Sequence, residues 1–201
     1  MINIFVSKAP QTFDFPGSVE TFKTGFPLCE NEKYLDDILR RKNESSRNLS
    51  LHALCVLARG LSALGIETKS LILKRTQNGK PYFENSTVYF SISHDKNFVC
   101  VAVSDRNVGV DMQSGGDSLR CDRIADRYFT EIEKEQIKNG EISSLSLWTR
   151  KEAYAKLSDT PLSQVINSPL PSDAVFKNIS WQNFMISLAS YEFDEIYMQE
   201  I

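Results

Sequence analysis

Residues 88 to 113 read VYFSIS, HDKN, FVCVAVS, DRN, VGVDMQ, which is three apolar runs of strand length parted by short polar turns. Parallel neighbours need a crossover of a dozen or more residues, so turns this short predict an antiparallel meander. Alternation in the last run puts Val108, Val110 and Met112 on one face and Gly109, Asp111 and Gln113 on the other. Asp111 then stands near the core, where even a neutral unpaired polar group costs about 2 to 7 kcal/mol. It reads either as a strand-end residue accepting N–H bonds from the following turn or as a carboxylate kept for a cation.

Around this stretch, INIFV at 2–6 suits a first strand. Apolar residues recur at helical spacing from Lys33 to Arg41 and from Ser46 to Leu64, with serines before the second helix and Gly65 after it as caps. SLILKR at 70–75 is a further strand, and QNGKPY a turn built on Asn78 and Gly79. Beyond SGGD, Asp117 caps SLRCDRIADRYF, and Thr130 with Glu133 forms a capping box for EIEKEQIK, which Asn139 and Gly140 stop. SLSLWTRKEAYAKL is a third helix, apolar nearly all round and so covered by protein. A proline-bearing loop runs from Ser158 to Pro171, and WQNFMISLAS with EIYMQ makes a terminal hairpin. This order predicts an α+β fold of two similar lobes, residues 1–105 and 106–201, each an antiparallel sheet packed against helices.

Composition narrows the function classes. With 41% hydrophobic and 24% charged residues the chain can bury a core without staples. A net charge of −3, from 23 basic and 26 acidic side chains, gives no overall pull toward nucleic acid or an anionic membrane. No apolar run approaches membrane-spanning length, and MINIFVSKAP is too short and polar for a signal peptide, so a cytoplasmic protein is expected. Cys29, Cys55, Cys100 and Cys121 are scattered and read as reduced thiols, and two histidines, His52 and His94, exclude a three-histidine metal site within one chain.

In WTRKEAYAK, Glu152 and Lys156 lie four apart on one helix, with Leu145 and Trp148 on the same side. On a solvated helix such a pair contributes only about 0.2 to 0.5 kcal/mol; on a covered helix the carboxylate wants a cation. Asp111 and Glu152 meeting in a cleft would hold a hard cation through few oxygens, as Mg²⁺ is held beside substrate phosphate. Lys151 and Lys156 add positive charge for that phosphate. The residues alone therefore point to a phosphate-handling magnesium site.

VGVD at 108–111 followed by WTRKEAYAK at 148–156 resembles the paired signature of the 4′-phosphopantetheinyl transferases, a hydrophobic-Gly-hydrophobic-Asp strand and a W/F-S/T-x-K-E-A/S-x-x-K helix. Three softer stretches agree in order. NGKPYF at 78–83 is similar to the family's G-K-P turn, FSISH at 90–94 to its strand ending in Ser-His, and IADRYFT at 124–130 to its A-x-R-F-F segment. The resemblance implies two lobes related by a pseudo-twofold axis, with the active site between them, and the two-lobe length suits the family's larger, monomeric branch.

The implied activity is transfer of the phosphopantetheine arm of coenzyme A to a serine of an apo acyl or peptidyl carrier protein, releasing adenosine 3′,5′-bisphosphate. By the same resemblance Asp111, Gln113 and Glu152 hold Mg²⁺, or Mn²⁺, and Glu152 is the base, directly or through water. Lys156 contacts phosphates and the leaving oxygen, with Lys151 beside it, while Arg47, Lys80, Pro81, Ser93 and His94 meet coenzyme A. His94 also reads as a turn residue capping its hairpin. Arg120, Arg123 and Arg127 read as a solvated face or as a match for an acidic carrier.

Two departures stand out. Gln113 occupies a position that is acidic in much of the branch, and LSDTPLSQ replaces a loop that often carries glycine and lysine. They motivate a rival reading, a non-catalytic coenzyme A or carrier-protein binding homologue. A third, another Mg²⁺ enzyme cleaving phosphate diesters or pyrophosphates, leaves NGKP and ISH unexplained.

Overall fold

A computed structural model describes residues 1–193 and 195–201. In chain order the elements are β1 (Ile2–Lys8), α1 (Phe15–Gly25), α2 (Glu30–Leu39), α3 (Glu44–Ala63), β2 (Ile72–Arg75), β3 (Pro81–Glu84), β4 (Tyr89–Asp95), β5 (Phe98–Ser104) and β6 (Gly109–Ser114). Then come α4 (Ser118–Tyr128), α5 (Glu131–Lys138), α6 (Ser144–Ser158), α7 (Leu162–Val165), β7 (Val175–Trp181), β8 (Phe184–Ser190) and β9 (Ile196–Glu200).

Local chemistry accounts for the boundaries. Thr130 and Glu133 form the expected capping box of α5, and Gly140, at φ +75°, follows its end. Ser143 caps α6 by accepting from the Ser146 N–H. Helix α3 is capped by Asn43, whose Oδ1 accepts from Ser46 N at 2.8 Å, in place of the expected serines. Helix α1 was not expected, because its window is broken by Pro16 and two glycines; it forms under an Asp14 cap, with proline tolerated in the first turn, and buries Phe22.

The strands form a sheet of order β4-β5-β1-β9, a β2-β3 hairpin and a sheet of order β6-β8-β7. All pairings are antiparallel except β1 with β9, so the α+β class stands. The expected meander ends at β5. That strand already has β4 on one edge and β1 on the other, with Ser104 opposite both Tyr89 and Ile2, so no edge is left for β6. The DRN turn instead delivers β6 to β8 in the second sheet. The terminal hairpin is also corrected: β8 turns back on β7, while β9 returns to pair with β1, Ile2 opposite Ile196. One strand thus crosses the expected division at residue 105.

Both faces of β1 are buried. Phe5 joins Leu51, Leu54 and Leu57 of α3 in one core, and Ile4 and Val6 face Val110, Met112, Ile186 and Leu188 of the second sheet in another. The second sheet's other face carries α6, with Ala153 and Leu157 against Ala189. Among the described residues no helix is long and apolar enough to cross a membrane.

The two sheets are stitched along their edges. The outward N–H groups of β6 at Val110, Met112 and Ser114 donate to Ser91 Oγ (3.0 Å), Ser93 Oγ (3.1 Å) and Asp95 Oδ2 (2.6 Å) of β4. Alternate side chains of one edge strand so replace the backbone partner that the other lacks.

Helix α6 lies directly on β6 at Gly109, where a Cβ would stand 1.9 Å from the Ala153 carbonyl oxygen and 2.7 Å from Leu157 N. Gly109→Ala therefore has to lift the helix from the strand. We expect a loss of about 1 to 3 kcal/mol, seen in calorimetry as a fall in Tm of roughly 2 to 4 °C per kcal/mol at this chain length. A melting curve superimposable on that of the unsubstituted protein would contradict the contact.

Candidate active site

Asp111 is 1% exposed yet well served. Its Oδ1 accepts from Ser93 Oγ at 2.8 Å and from Lys156 Nζ at 2.8 Å, and its Oδ2 faces Gln113 Nε2 at 3.5 Å. Lys156 Nζ also donates to the Val110 carbonyl at 2.9 Å, capping an outward group of the β6 edge. Helical spacing puts Glu152 one turn before Lys156 on the same side of α6. Close approach at Gly109 brings both beside Asp111.

Burial is the main cause that raises the Glu152 carboxyl to about 7. The Asp111 charge and a hydrogen bond to Asp111 push in the same direction, against Lys156 and Arg120. A further cation beside the pair would favour the ionised form of Glu152. Among the described residues no three His, Cys, Asp or Glu side chains cluster as a metal site; the amide beside Asp111 is that of Gln113, with its Nε2 turned to the carboxylate. Burial holds the Cys55, Cys100 and Cys121 thiols up at about 11, 12 and 11, far from thiolate nucleophiles.

Glu152 and Lys156 form one wall of a cleft of about 340 Å³. Asn78, Gly79, Lys80 and Pro81 of the β2-β3 turn form the opposite wall, and Ser91 and Ile92 the floor between. Burial, only partly offset by Asp159, pushes the Lys80 ammonium down to about 8. Pro81 and Ile92 also border a smaller cavity of about 160 Å³ lined by His94, Arg41, Arg75 and Tyr34. Desolvation, then the Lys156 and Arg41 charges, lowers the His94 pKa, so its ring is neutral at pH 7.

The structure thus brings together Asp111, Gln113, Glu152, Lys156, Lys80 and Pro81, with His94 in the adjoining cavity. It does not bring Lys151. One residue along a helix turns about 100°, and Lys151 points away from the cleft into a fully buried ion pair with Glu133 at 2.7 Å. It also donates to the Ser168 carbonyl at 2.6 Å and lies 5.1 Å from the Phe129 ring centroid. Arg47 likewise sits apart, over the Phe15 ring. Ser93 is spent beneath Asp111, and it is Ser91 that lines the cleft. Arg75 was not expected here, and of the basic residues that the resemblance brings near coenzyme A, Arg40, Arg41 and Arg47, it is Arg41 and not Arg47 that lines this cavity.

The family match falls on the half of the chain that carries this carboxylate pair. Residues 107–198 match the family model of the 4′-phosphopantetheinyl transferase superfamily. Over this half, the chain is similar to the 4′-phosphopantetheinyl transferase superfamily. It is 31% identical over 101 residues to a protein from Aneurinibacillus migulanus named 4′-phosphopantetheinyl transferase gsp. That match covers 48% of this chain and 41% of the relative. Asp111, Gln113, Glu152 and Lys156 all fall inside the superfamily span, whereas Lys80, Ser91 and His94, on the facing wall, precede it.

The buried Lys151–Glu133 pair is structural on this geometry. Removing one partner strands the other charge, so Lys151→Met is expected to cost roughly 3 to 5 kcal/mol, read as a lowered urea midpoint. An unchanged midpoint would return Lys151 to the list of groups free for substrate.

Proposed function

We propose that this protein transfers the 4′-phosphopantetheine group of coenzyme A to a serine hydroxyl of an apo acyl or peptidyl carrier protein, releasing adenosine 3′,5′-bisphosphate. The observation that carries the reading is the contact of Asp111, Glu152 and Lys156 in a cleft whose other wall is the Lys80–Pro81 turn. The working unit proposed is a cytoplasmic monomer, since one chain supplies both walls.

In the transfer, the serine oxygen forms a bond to the β-phosphorus, and the bond from that phosphorus to the bridging oxygen breaks. Glu152, with a carboxyl near 7, is suited to take the serine proton at neutral pH. Lys156, held in place by Asp111 and the Val110 carbonyl, presents a cation to the charge that develops on the leaving oxygen. Lys80 and Pro81 hold the nucleotide side of the substrate, and the Arg41, Arg75 and His94 cavity suits its 3′-phosphate, guanidinium groups being good phosphate partners.

The donor set also fits a hard cation: two adjacent carboxylates, one of them disfavoured as an anion until a positive charge arrives, and the Gln113 amide, which turns its Nε2 to Asp111 and would offer its oxygen after a flip. Asp111, Glu152 and Gln113 would hold Mg²⁺ or Mn²⁺. When bound, the ion neutralises charge on the pyrophosphate. Gln113 and the LSDTPLSQ segment also favour the second reading, a homologue that binds coenzyme A or carrier without transfer.

The test is the intact mass of purified apo carrier proteins incubated with the protein, coenzyme A and Mg²⁺. A gain of one phosphopantetheine, absent without Mg²⁺ and absent on a carrier with its serine replaced by alanine, is the expected result; no gain despite coenzyme A binding would favour the binder. Glu152→Gln keeps the volume of the side chain and removes the base, and turnover is expected to fall by about 10²- to 10⁴-fold with Tm retained. Turnover within twofold of the parent would exclude Glu152 from proton transfer. Gln113→Glu adds a third carboxylate, and half-maximal activity is expected at a lower Mg²⁺ concentration; an unmoved titration places that side chain outside the metal's reach.

A further inference from the structure

The turn wall of the cleft has a holder that the reading above does not use. Asn107, at the entry to β6, spends both ends of its side-chain amide on the site. Oδ1 accepts from Lys80 Nζ at 2.8 Å, and Nδ2 donates to the Leu157 carbonyl at 2.8 Å, in the last turn of the helix that carries Glu152 and Lys156. Its own carbonyl accepts from Ser190 Oγ of β8 at 3.3 Å, and the next residue, Val108, is fully buried. The amide is therefore fixed relative to both walls.

We propose that Asn107 is a positioning residue that fixes the Lys80 ammonium beside the last turn of α6, at the border of the cleft, and, through Lys80, sets the affinity for the phosphates of coenzyme A. This rests on the transferase reading. A free lysine side chain carries about 2 kcal/mol of rotamer entropy, and a hydrogen bond made before the substrate arrives removes part of that cost from binding. The neutrality of the partner matters as much as its place. An amide oxygen orients the ammonium without cancelling its charge, so the charge remains for a phosphate.

The charge of Asp159 also acts on the Lys80 ammonium, but its hydrogen bonds go to the turn. Its Oδ1 accepts from Thr76 Oγ1 at 2.8 Å and its carbonyl from Asn78 Nδ2 at 2.6 Å. Thr76 Oγ1 in turn accepts from Lys80 N at 3.1 Å. The β2-β3 turn is thus latched to the C-terminal end of α6 by its backbone and polar side chains, and the Lys80 ammonium hydrogen-bonds to Asn107.

The experiment is a double-mutant cycle on the full chain with Asn107→Ala, Lys80→Met and both together. Coenzyme A affinity is measured by calorimetry with Mg²⁺, and steady-state constants are measured on an apo carrier. Each single change is expected to weaken coenzyme A binding about tenfold, the loss of one charge-assisted hydrogen bond, and to act on KM for coenzyme A rather than on kcat. The double variant is expected to bind no more weakly than Lys80→Met alone, because Asn107 acts through that lysine.

Multiplying effects in the double variant, unchanged affinity in Asn107→Ala, or a fall in kcat with KM retained would each overturn the proposal and leave the transferase reading intact. A parent protein that neither binds coenzyme A nor modifies any carrier overturns both. If Asn107→Ala does not fold, Asn107→Ser, which keeps a hydroxyl donor near the Leu157 carbonyl, carries the same comparison.

Discussion

The structure turns on the seam between β4 and β6. Each is an edge strand of a different sheet, and each would expose a row of unpaired backbone groups at the centre of the molecule. Ser91, Ser93 and Asp95 close the seam by accepting from Val110, Met112 and Ser114. A buried donor left without a partner costs about 1 to 3 kcal/mol, so this row fixes how one sheet meets the other. Ser93 does two things at once, accepting from Met112 N and donating to Asp111. The bond that joins the sheets is thereby also the bond that orients the first carboxylate of the site.

Everything chemical is stacked on that seam. Lys156 caps the Val110 carbonyl on the same edge and pairs with Asp111, and Gly109 lets the backbone of α6 come close enough for it to do so. The same closeness forces Glu152 toward Asp111 and raises its carboxyl to about 7, chiefly by burial. Elsewhere such a pair would be an uncompensated cost. Here it leaves a carboxylate pair short of positive charge in a cleft shared with the Lys80 turn.

Much of this was legible in the chain, and for identifiable reasons. Capping boxes, turn glycines and helical spacing act within a few residues, so α5, α6 and the β4-β5 hairpin were readable, as was the placing of Glu152 and Lys156 on one side of α6. Expectations failed where a neighbour in space decided. The run after DRN is a strand, as its alternation says, but its partner is β8 because β5 had no free edge. The last strand left its expected hairpin because β1 offered an edge. Lys151 sits beside Glu152 in sequence, yet the helix turns it to Glu133. Asn107 and Arg75 carry no local signal, being ordinary polar residues until folding brings them to the cleft.

By itself, then, the sequence determined the α+β class, the strands and helices that short-range patterns specify, and the Asp111, Glu152 and Lys156 set, whose types and spacing suit phosphate and metal. Only the tertiary structure decided which edges pair, which lysine faces the cleft and what holds Lys80. Propensity and periodicity act over one or two turns of chain, whereas edge pairing, burial of charge and the contact of α6 with β6 join residues tens of positions apart.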